Sequence, residues 1–384
     1  MKACENVFTA GTYSRVEAMS TVPGNRCESL NPRPSRSNLT AMRIAVVTTS
    51  YPTFPRDAAG HFVRTEALEL ATAGHEVHVI APAPVAEDPR ALTVWGIAHA
   101  GAFGWPGAVS RLRTHPWRAA GAITFITLAR ARLRSLRPDR VVAHWIVPCA
   151  HPIALLGAAC AQLEAVAHGA DVRALLALPA MVRVRILTSL LERNVHLRFV
   201  AHVLRDALID AVPEPLRSRM VSQSTVCAAA LGVPDVSRQA DALRRACPRP
   251  IMATAVGRMV ASKRMELAIG AANLLRGSMH LNVVGDGPEL RRLRALDSAG
   301  NVTFLGQVHR DEALAWIAAA DVLIHASSEE AAPSVVREAR TLGTPVVACA
   351  SGDLTRWAVH DPGIRLVQAT PSGIAEGIAA ACGG

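Results

Sequence analysis

Two series of short apolar runs, in which each run is followed by a helix-like segment, constrain the fold of this chain most strongly. The first series begins at residues 44–48 and the second at residues 251–256. Each run has the length of a buried strand, and such runs alternate with helices in parallel sheets. The sequence therefore predicts an α/β protein with two doubly wound, Rossmann-like domains that face each other across a cleft.

The domain boundaries follow from where the two series begin and end. Residues 1–41 mix Ser, Asn, Pro and Arg without periodicity, which predicts a disordered tail. The first domain is expected over residues 42–235 and the second over residues 251–384. Residues 236–250, rich in Pro, Asp and Arg, are interpreted as a linker. With 384 residues, of which 50% are hydrophobic, the chain can bury a core in each domain.

The expected secondary structure is regular in both domains. In the first domain, strands are expected at residues 44–48, 76–81, 141–145 and 165–168, with a helix at residues 61–73. In the second domain, strands are expected at residues 251–256, 281–284, 302–305, 322–325 and 345–348, with helices at residues 265–275, 288–299, 311–320 and 334–342.

Residues 141–163 test whether the chain crosses a membrane, because they carry no Asp, Glu, Lys or Arg and are long enough to span a bilayer. Pro148 and Pro152 interrupt this segment, and His144 and His151 add polar groups. We therefore interpret it as a buried strand, a turn and an apolar helix at residues 152–163.

Charge and composition limit the classes of partner. The net charge of +10 predicts an acidic partner, such as a phosphorylated substrate, an anionic membrane surface or a nucleic acid. Aromatic residues make up only 4% of the chain and no nucleic-acid-binding motif occurs, so no nucleic acid partner is expected. The eight scattered cysteines and the lack of a secretory signal predict a reduced, cytoplasmic protein.

Two basic side chains follow the first strand of the second series. Arg258 comes directly after Gly257, and Lys263, the only lysine beyond Lys2, lies near the start of the next helix. Open parallel sheets bind ligands at the carboxyl ends of their strands, and two cations there could stabilise a departing diphosphate. The alternative is that Arg258 is one of many surface arginines.

Two carboxylates eight residues apart form the second candidate cluster, after the fourth strand of the second series. Between Glu330 and Glu338, Pro333 suits the first turn of a helix, and the free N–H groups of Ser334 and Val335 would form an anion site. Glu338 could accept hydrogen bonds from ribose hydroxyls, and Glu330 could reach a hexose hydroxyl. Judged alone, Glu338 could also be an ordinary solvated helix residue.

The order and spacing of these segments resemble the donor-binding domain of family-four glycosyltransferases. The similarity is carried by residues 257–263, Val-Val-Gly-Asp-Gly-Pro at 283–288, Phe-Leu-Gly at 304–306, the two glutamates, and Gly-Thr-Pro-Val-Val-Ala at 343–348. That family contains retaining, metal-independent enzymes of GT-B architecture, some of which build bacterial exopolysaccharide or cell-wall glycans. The resemblance implies hexose transfer from a nucleotide-diphosphate sugar, UDP- or GDP-linked, without cofactor or metal. The chain also lacks the Asp-x-Asp pair of many metal-dependent transferases.

The first half is similar to the acceptor domain of the same family. Residues 50–63, with Gly60 in a glycine loop, resemble one family segment, and residues 143–148 and 168–171 resemble two more. The resemblance implies that His168 contacts the transferred sugar across the cleft.

The remaining roles follow from the same resemblance. His168 and Glu330 are the expected catalytic residues. The donor is expected to be bound by six positions: Gly60, Arg258, Lys263, Ser334, Val335 and Glu338.

Two departures from the family pattern leave an alternative open. The family usually has Gly after the first glutamate, whereas this chain has Ala331. The family also continues through further helices beyond the point that matches residues 372–381, so the second domain is expected to be shortened. A non-catalytic GT-B-like subunit that binds a sugar nucleotide or a partner enzyme is therefore the alternative. A nicotinamide-dependent dehydrogenase is disfavoured, because no Gly-x-Gly-x-x-Gly follows the first strand.

Arginines concentrate before the strand at residues 141–145 and flank the apolar run at residues 119–129. A basic amphipathic surface of this kind can lie on an anionic leaflet, which would suit a glycan or lipid-linked acceptor and contact with the inner face of the membrane. The alternative is a solvated helical face in an arginine-rich protein. The eight residues are Arg111, Arg113, Arg118, Arg130, Arg132, Arg134, Arg137 and Arg140.

Overall fold

The computed structural model describes residues 41–54, 57, 59–86, 92–104, 108–158, 161–247 and 250–383. Within them the chain forms two parallel sheets flanked by helices, as the alternating pattern predicts. All of the predicted tail except Ala41 lies outside the described residues.

Seven strands form the sheet of the first domain. They are β1 (Arg43–Val47), β2 (Glu76–Pro82), β3 (Leu92–Ile97), β4 (Arg140–His144), β5 (Gln162–Ala167), β6 (His196–Phe199) and β7 (Ser224–Val226). The strands pair in parallel in the order β3-β2-β1-β4-β5-β6-β7. The central strand β1 buries Ile44, Ala45, Val46 and Val47, which is why it appears in the sequence as a continuous apolar run.

Eight helices accompany this sheet. They are α1 (His61–Thr72), α2 (Ala108–Thr114), α3 (Ala119–Leu136), α4 (Leu155–Gly157), α5 (Ala170–Ala177), α6 (Ala180–Glu192), α7 (His202–Asp210) and α8 (Leu216–Ser222).

The predicted apolar helix at residues 152–163 is wrong in extent. An irregular helical turn covers Ile146–Ala154, only α4 follows it, and β5 begins at Gln162. Pro152 lies inside the turn and lacks a backbone N–H, so the segment cannot continue as a regular helix. In the part of the chain that the structure describes, no helix is both long and apolar enough to cross a membrane.

Six strands form the sheet of the second domain. They are β8 (Ile251–Val256), β9 (Met279–Val284), β10 (Val302–Gly306), β11 (Val322–His325), β12 (Val346–Cys349) and β13 (Ile364–Val367). They pair in parallel in the order β10-β9-β8-β11-β12-β13. The five strands predicted here are confirmed to within two residues at each end, and β13 is additional.

Seven helices accompany the second sheet. They are α9 (Ser237–Arg245), α10 (Met265–Leu274), α11 (Leu290–Arg294), α12 (Arg310–Ala319), α13 (Ser334–Thr341), α14 (Leu354–His360) and α15 (Pro371–Cys382). The predicted helix at residues 288–299 is shorter than expected, because only α11 is helical there.

An extended connector at residues 227–236 leads from the first domain to the second. The sequence predicts a linker at residues 236–250. In the structure this range contains α9, which packs against the second domain. Ala240 of α9 is buried in a cluster with Met252 and Ala319. The helix is predominantly polar, so its single buried position gives little apolar signal in the sequence.

The carboxyl ends of the two sheets contribute the loops that meet between the domains. The loop after β12 contacts the start of α7, where Asp353 accepts a hydrogen bond from the His202 N–H at 2.7 Å. The loops after β1 and β10 also approach each other, with the Phe54 and His309 rings 6.4 Å apart. In each sheet the strand order reverses next to its first strand, β1 or β8, and ligands bind at such reversal points in open α/β sheets.

Candidate active site

Lys263 and Glu330 form an ion pair at the reversal point of the second sheet. Lys263 ends a short 3-10 turn after β8, and Glu330 lies in the loop after β11. The Lys263 Nζ contacts the Glu330 Oε1, and the two side chains are only 17% and 23% exposed. The structure therefore brings together two residues that are 67 positions apart in the sequence.

Arg264 fixes the two loops that carry this pair. Its Nε donates to the Ala326 carbonyl oxygen at 2.7 Å, and its Nη2 donates to the Ser327 carbonyl oxygen at 3.2 Å. Beneath the loops, burial, with added repulsion from Lys263 and Arg264, lowers the pKa of His325 to about 3. Burial and these two cationic side chains therefore disfavour protonation of His325 at the ends of β8 and β11.

Arg258, Ser334 and Val335 lie at the same edge of the sheet. Arg258 follows β8 and is exposed, and Ser334 and Val335 are the first two residues of α13. Pro333 precedes the helix as its N-cap, one position earlier than expected. The first N–H groups of a helix have no partner within the helix, so the start of α13 adds a partial positive charge at this edge of the sheet.

Glu338 is not a solvated helix residue. It is buried in α13, and its Oε1 accepts a hydrogen bond from the Arg310 Nη2 at 2.7 Å. Arg310 begins α12 and has no counterpart among the residues singled out from the sequence. A buried carboxylate that is held in place by one guanidinium can still accept a hydrogen bond from a polar ligand.

The loop that carries Glu330 is supported from two sides. Ala331 and Ala332 pack against the core of the first domain, so the residue that replaces the family's glycine contributes a methyl group to the domain contact. On the other side, Gly352 has φ +52°, and a Cβ at this position would lie 2.1 Å from the Glu330 carbonyl oxygen. Only glycine allows the loop after β12 to pass so close.

Gly60 occupies a similarly restricted position in the first domain. It is the N-cap of α1 with φ +66°, and a Cβ there would lie 2.4 Å from the Ser50 carbonyl oxygen. The glycine therefore lets the loop after β1 fold tightly against the start of α1.

His168 lies in a ring cluster at the end of β5. Its ring centroid is 4.8 Å from those of Phe62 and Trp145, and its Nε2 is 2.9 Å from the Nδ1 of His144. Burial, followed by the effects of His144 and Arg198, holds the pKa of His168 well below its usual range. His168 is therefore a neutral imidazole, able to exchange a hydrogen bond with a sugar hydroxyl.

Asp171 sets the backbone on both sides of His168. The Asp171 carboxylate accepts hydrogen bonds from the backbone N–H groups of His168 at 3.1 Å, Gly169 at 3.0 Å and Ile146 at 2.8 Å. Asp171 is buried, and burial raises its pKa although four backbone N–H groups oppose that shift. These bonds join the loops after β4 and β5.

A buried charge network lies behind the histidines. Arg198 contacts Glu66 and also Glu164, the latter with 2.7 Å between Nε and Oε1. Burial raises the pKa of Glu66, whereas Arg198 and Arg140 outweigh burial at Glu164 and lower its pKa. The nearest carboxylate oxygen of Glu66 lies 3.8 Å from the His144 Nε2, so the charge network lies next to the ring cluster on its buried side.

Within the described ranges, no group of three or more His, Cys, Asp and Glu side chains is arranged to hold a metal ion.

The second domain is similar to a known family of enzymes. Residues 250–382 match the family model described as glycosyl transferases group 1, and this range contains Arg258, Lys263, Glu330 and Glu338. No curated protein matches the chain.

Solved structures of similar fold cover most of the chain. Sucrose-phosphate synthase from Thermosynechococcus elongatus aligns with a TM-score of 0.66 and 19% identity over 88% of each chain. WaaG, a glycosyltransferase involved in lipopolysaccharide biosynthesis, aligns with a TM-score of 0.60 and 18% identity, over 89% of this chain and 90% of its own. Anabaena HepE in complex with UDP and glucose aligns with a TM-score of 0.64 and 16% identity, over 88% and 89%. The chain therefore has the GT-B fold of two Rossmann-like domains, and its second domain matches the group 1 glycosyltransferases.

Proposed function

We propose that this protein is a retaining, metal-independent glycosyltransferase that moves a hexose from a nucleotide-diphosphate sugar to a glycan or lipid-linked acceptor. The observation that carries the proposal is the Lys263–Glu330 pair at the reversal point of the second sheet. The group 1 match over residues 250–382 supports glycosyl transfer from a nucleotide sugar. HepE, a neighbour in fold, was solved with UDP and glucose, which makes UDP-glucose the first donor to test.

In this proposal the second domain binds the donor. Lys263 and Arg258 neutralise the diphosphate as it departs, and the N-terminus of α13, at Ser334 and Val335, adds two backbone donors. Glu338 accepts hydrogen bonds from the ribose. These cationic and dipolar groups take the electrostatic role that a divalent ion has in other transferases, so neither metal nor cofactor is required.

The first domain supplies the other side of the reaction. His168 of the first domain exchanges a hydrogen bond with a sugar hydroxyl across the cleft, opposite Glu330 of the second domain, which orients the sugar. Gly60 keeps the loop after β1 compact, so the acceptor and the donor phosphates can approach each other. A rigid constellation of this kind lowers the entropic part of the barrier.

The acceptor side also carries a surface that suits an anionic membrane. We name the exposed residues of the turn Pro116–Arg118 and of α3 the α3 surface. Trp117 and Ile123 are 71% and 65% exposed on it, and no Asp or Glu occurs between residues 89 and 138. Arg113 and Arg134 flank the apolar residues. We therefore propose a cytoplasmic protein in peripheral contact with the inner face of the membrane.

Product analysis tests the reaction directly. The protein is incubated with UDP-glucose in excess chelator, together with an acceptor mixture, and the anomeric configuration of the product is read from proton NMR couplings. The proposal predicts that the α-configured donor gives an α-configured product, with turnover lost in Lys263→Ala. An inverted product, or dependence on added divalent metal, contradicts the proposed mechanism. Nucleotide binding without any turnover would favour the non-catalytic subunit.

A further inference from the structure

One guanidinium, that of Arg310, connects the buried carboxylate of α13 with the connector between the domains. Its Nη2 donates to the Glu338 Oε1 at 2.7 Å and to the Leu231 carbonyl oxygen at 2.8 Å, and its Nη1 donates to the Gly232 carbonyl oxygen at 2.9 Å. The Arg310 and Glu338 side chains are 12% and 10% exposed. A buried arginine with three acceptors in fixed directions is a structural clamp rather than a surface charge.

The connector that Arg310 holds is itself tightly placed. Gly232 has φ +54°, and a Cβ at this position would lie 2.7 Å from the Thr65 Oγ1 of α1. The connector therefore packs directly against the first domain at Gly232, whose carbonyl oxygen accepts a hydrogen bond from Arg310. Burial and then the charge of Arg310 lower the pKa of His61, the first residue of α1, to about 3.

We propose that Arg310 is a positioning residue, which orients Glu338 for the ribose hydroxyls of the donor and fixes that carboxylate relative to the connector. This role of Arg310 rests on the proposed function, because the proposed function assigns ribose as the ligand of Glu338. Arg310 occupies Oε1, and the second oxygen, Oε2, is the acceptor offered to ribose. Lysine at this position keeps the charge but cannot reach three acceptors in a fixed fork.

The test compares two nucleotides that differ only in the ribose. Calorimetric affinities for UDP and for 2′,3′-dideoxy-UDP are measured on wild type, Arg310→Lys and Glu338→Gln, and inorganic pyrophosphate reports whether the phosphate site is intact. A hydrogen bond to a charged group is worth roughly 1.5–3 kcal/mol, so wild type should prefer UDP by about 10- to 100-fold. Both variants should bind the two nucleotides within about threefold of each other, with their pyrophosphate affinity unchanged.

Arg340→Lys is the matched control. Arg340 lies in α13 like Glu338, but its guanidinium holds a different carboxylate, with Nε donating to the Asp361 Oδ2 at 2.9 Å and Nη2 donating to the Asp361 Oδ1 at 3.0 Å. We expect this variant to keep the full preference for UDP. If Arg310→Lys keeps that preference as well, the positioning role is wrong while nucleotide binding stands. If wild type binds neither UDP nor pyrophosphate, the proposed function is wrong and this role is wrong with it.

Discussion

Lys263 and Glu330 neutralise each other across the reversal point of the second sheet, in the position where a diphosphate is proposed to bind. The ligand and Glu330 therefore compete for the same ammonium group. A partly exposed ion pair contributes up to about 1 kcal/mol, so Glu330 can weaken the binding of the ligand by at most about this free energy.

Glu330→Gln should therefore strengthen UDP binding while it weakens turnover. Removing the carboxylate charge leaves Lys263 available to phosphate, and the expected gain in UDP affinity is up to about fivefold. Turnover should fall, because the sugar loses its orienting carboxylate. Titration calorimetry and initial rates measure the two effects. Glu329→Gln, at the exposed neighbouring position, is the control, and weaker UDP binding in Glu330→Gln would contradict the competition.

Asp353→Ala should loosen the contact between the domains. The Asp353 carboxylate caps α7 of the other domain by accepting hydrogen bonds from the N–H groups of His202 at 2.7 Å and Val203 at 3.1 Å. Loss of a helix cap costs about 0.5–2 kcal/mol. Hydrogen exchange should therefore accelerate at the His202 and Val203 amides.

Asp235→Ala provides the control for that measurement. Asp235 makes a comparable contact with the N–H of Ser237 at 3.0 Å, but the contact is exposed and local to the start of α9. Its loss should leave the exchange of the α7 amides unchanged. Unaltered exchange at α7 in Asp353→Ala would show that the cap is not formed in solution.

The burial of His325, with repulsion from Lys263 and Arg264, should make stability fall as the pH is lowered. The pKa of His325 is about 3 in the folded protein and 6.5 in the unfolded chain. As the pH falls, the unfolded chain therefore binds a proton at this histidine before the folded protein does. The resulting loss of unfolding free energy is absent above about pH 6.5 and grows towards pH 3, with a slope of up to about 1.4 kcal/mol per pH unit. His325→Gln should reduce the slope of unfolding free energy against pH in this window. The expected reduction is up to about 1.4 kcal/mol per pH unit, which corresponds to the uptake of one proton. An unchanged slope would mean that His325 is accessible to water.

The sequence predicts the regular parts of the fold because they depend on local pattern. β8 and β11 are predominantly apolar runs at the centre of a sheet, each with one polar residue, Thr254 or His325, and their bounds agree with the structure. α9 differs because its sequence is predominantly polar and buries one alanine, so it lacks the apolar run that marks the strands. The π-type turn at Ile146–Ala154 is equally hidden, because an apolar run does not distinguish a regular helix from an irregular buried segment.

The candidate site divides in the same way. Lys263 and Glu330 stand out in the sequence by residue type and spacing, and the strand ends bring them together. Arg310 and Asp353 have no such signal, because their partners are backbone atoms and side chains distant in sequence. In a chain with 41 basic residues, no property of Arg310 alone separates it from the other arginines.

The α3 surface should bind anionic vesicles. Trp117→Ser combined with Ile123→Ser removes two exposed apolar side chains, so co-sedimentation with vesicles of equal parts phosphatidylglycerol and phosphatidylcholine should be reduced. Pure phosphatidylcholine should bind weakly, and added salt should weaken binding further, because arginines contribute part of the attraction. Val359→Ser, a 77% exposed position on α14, is the control. Failure of the wild type to sediment with anionic vesicles would remove the membrane proposal.

Nucleotide-sugar binding is the central claim, and titration calorimetry with UDP-, GDP- and ADP-sugars tests it most directly. The account predicts saturable binding of one nucleotide class by the wild type. Lys263→Ala and Glu338→Ala should each weaken that binding by at least about tenfold, because each removes a charge-assisted contact. Binding of no nucleotide sugar by the folded wild type, or equal affinity in both variants, would contradict it.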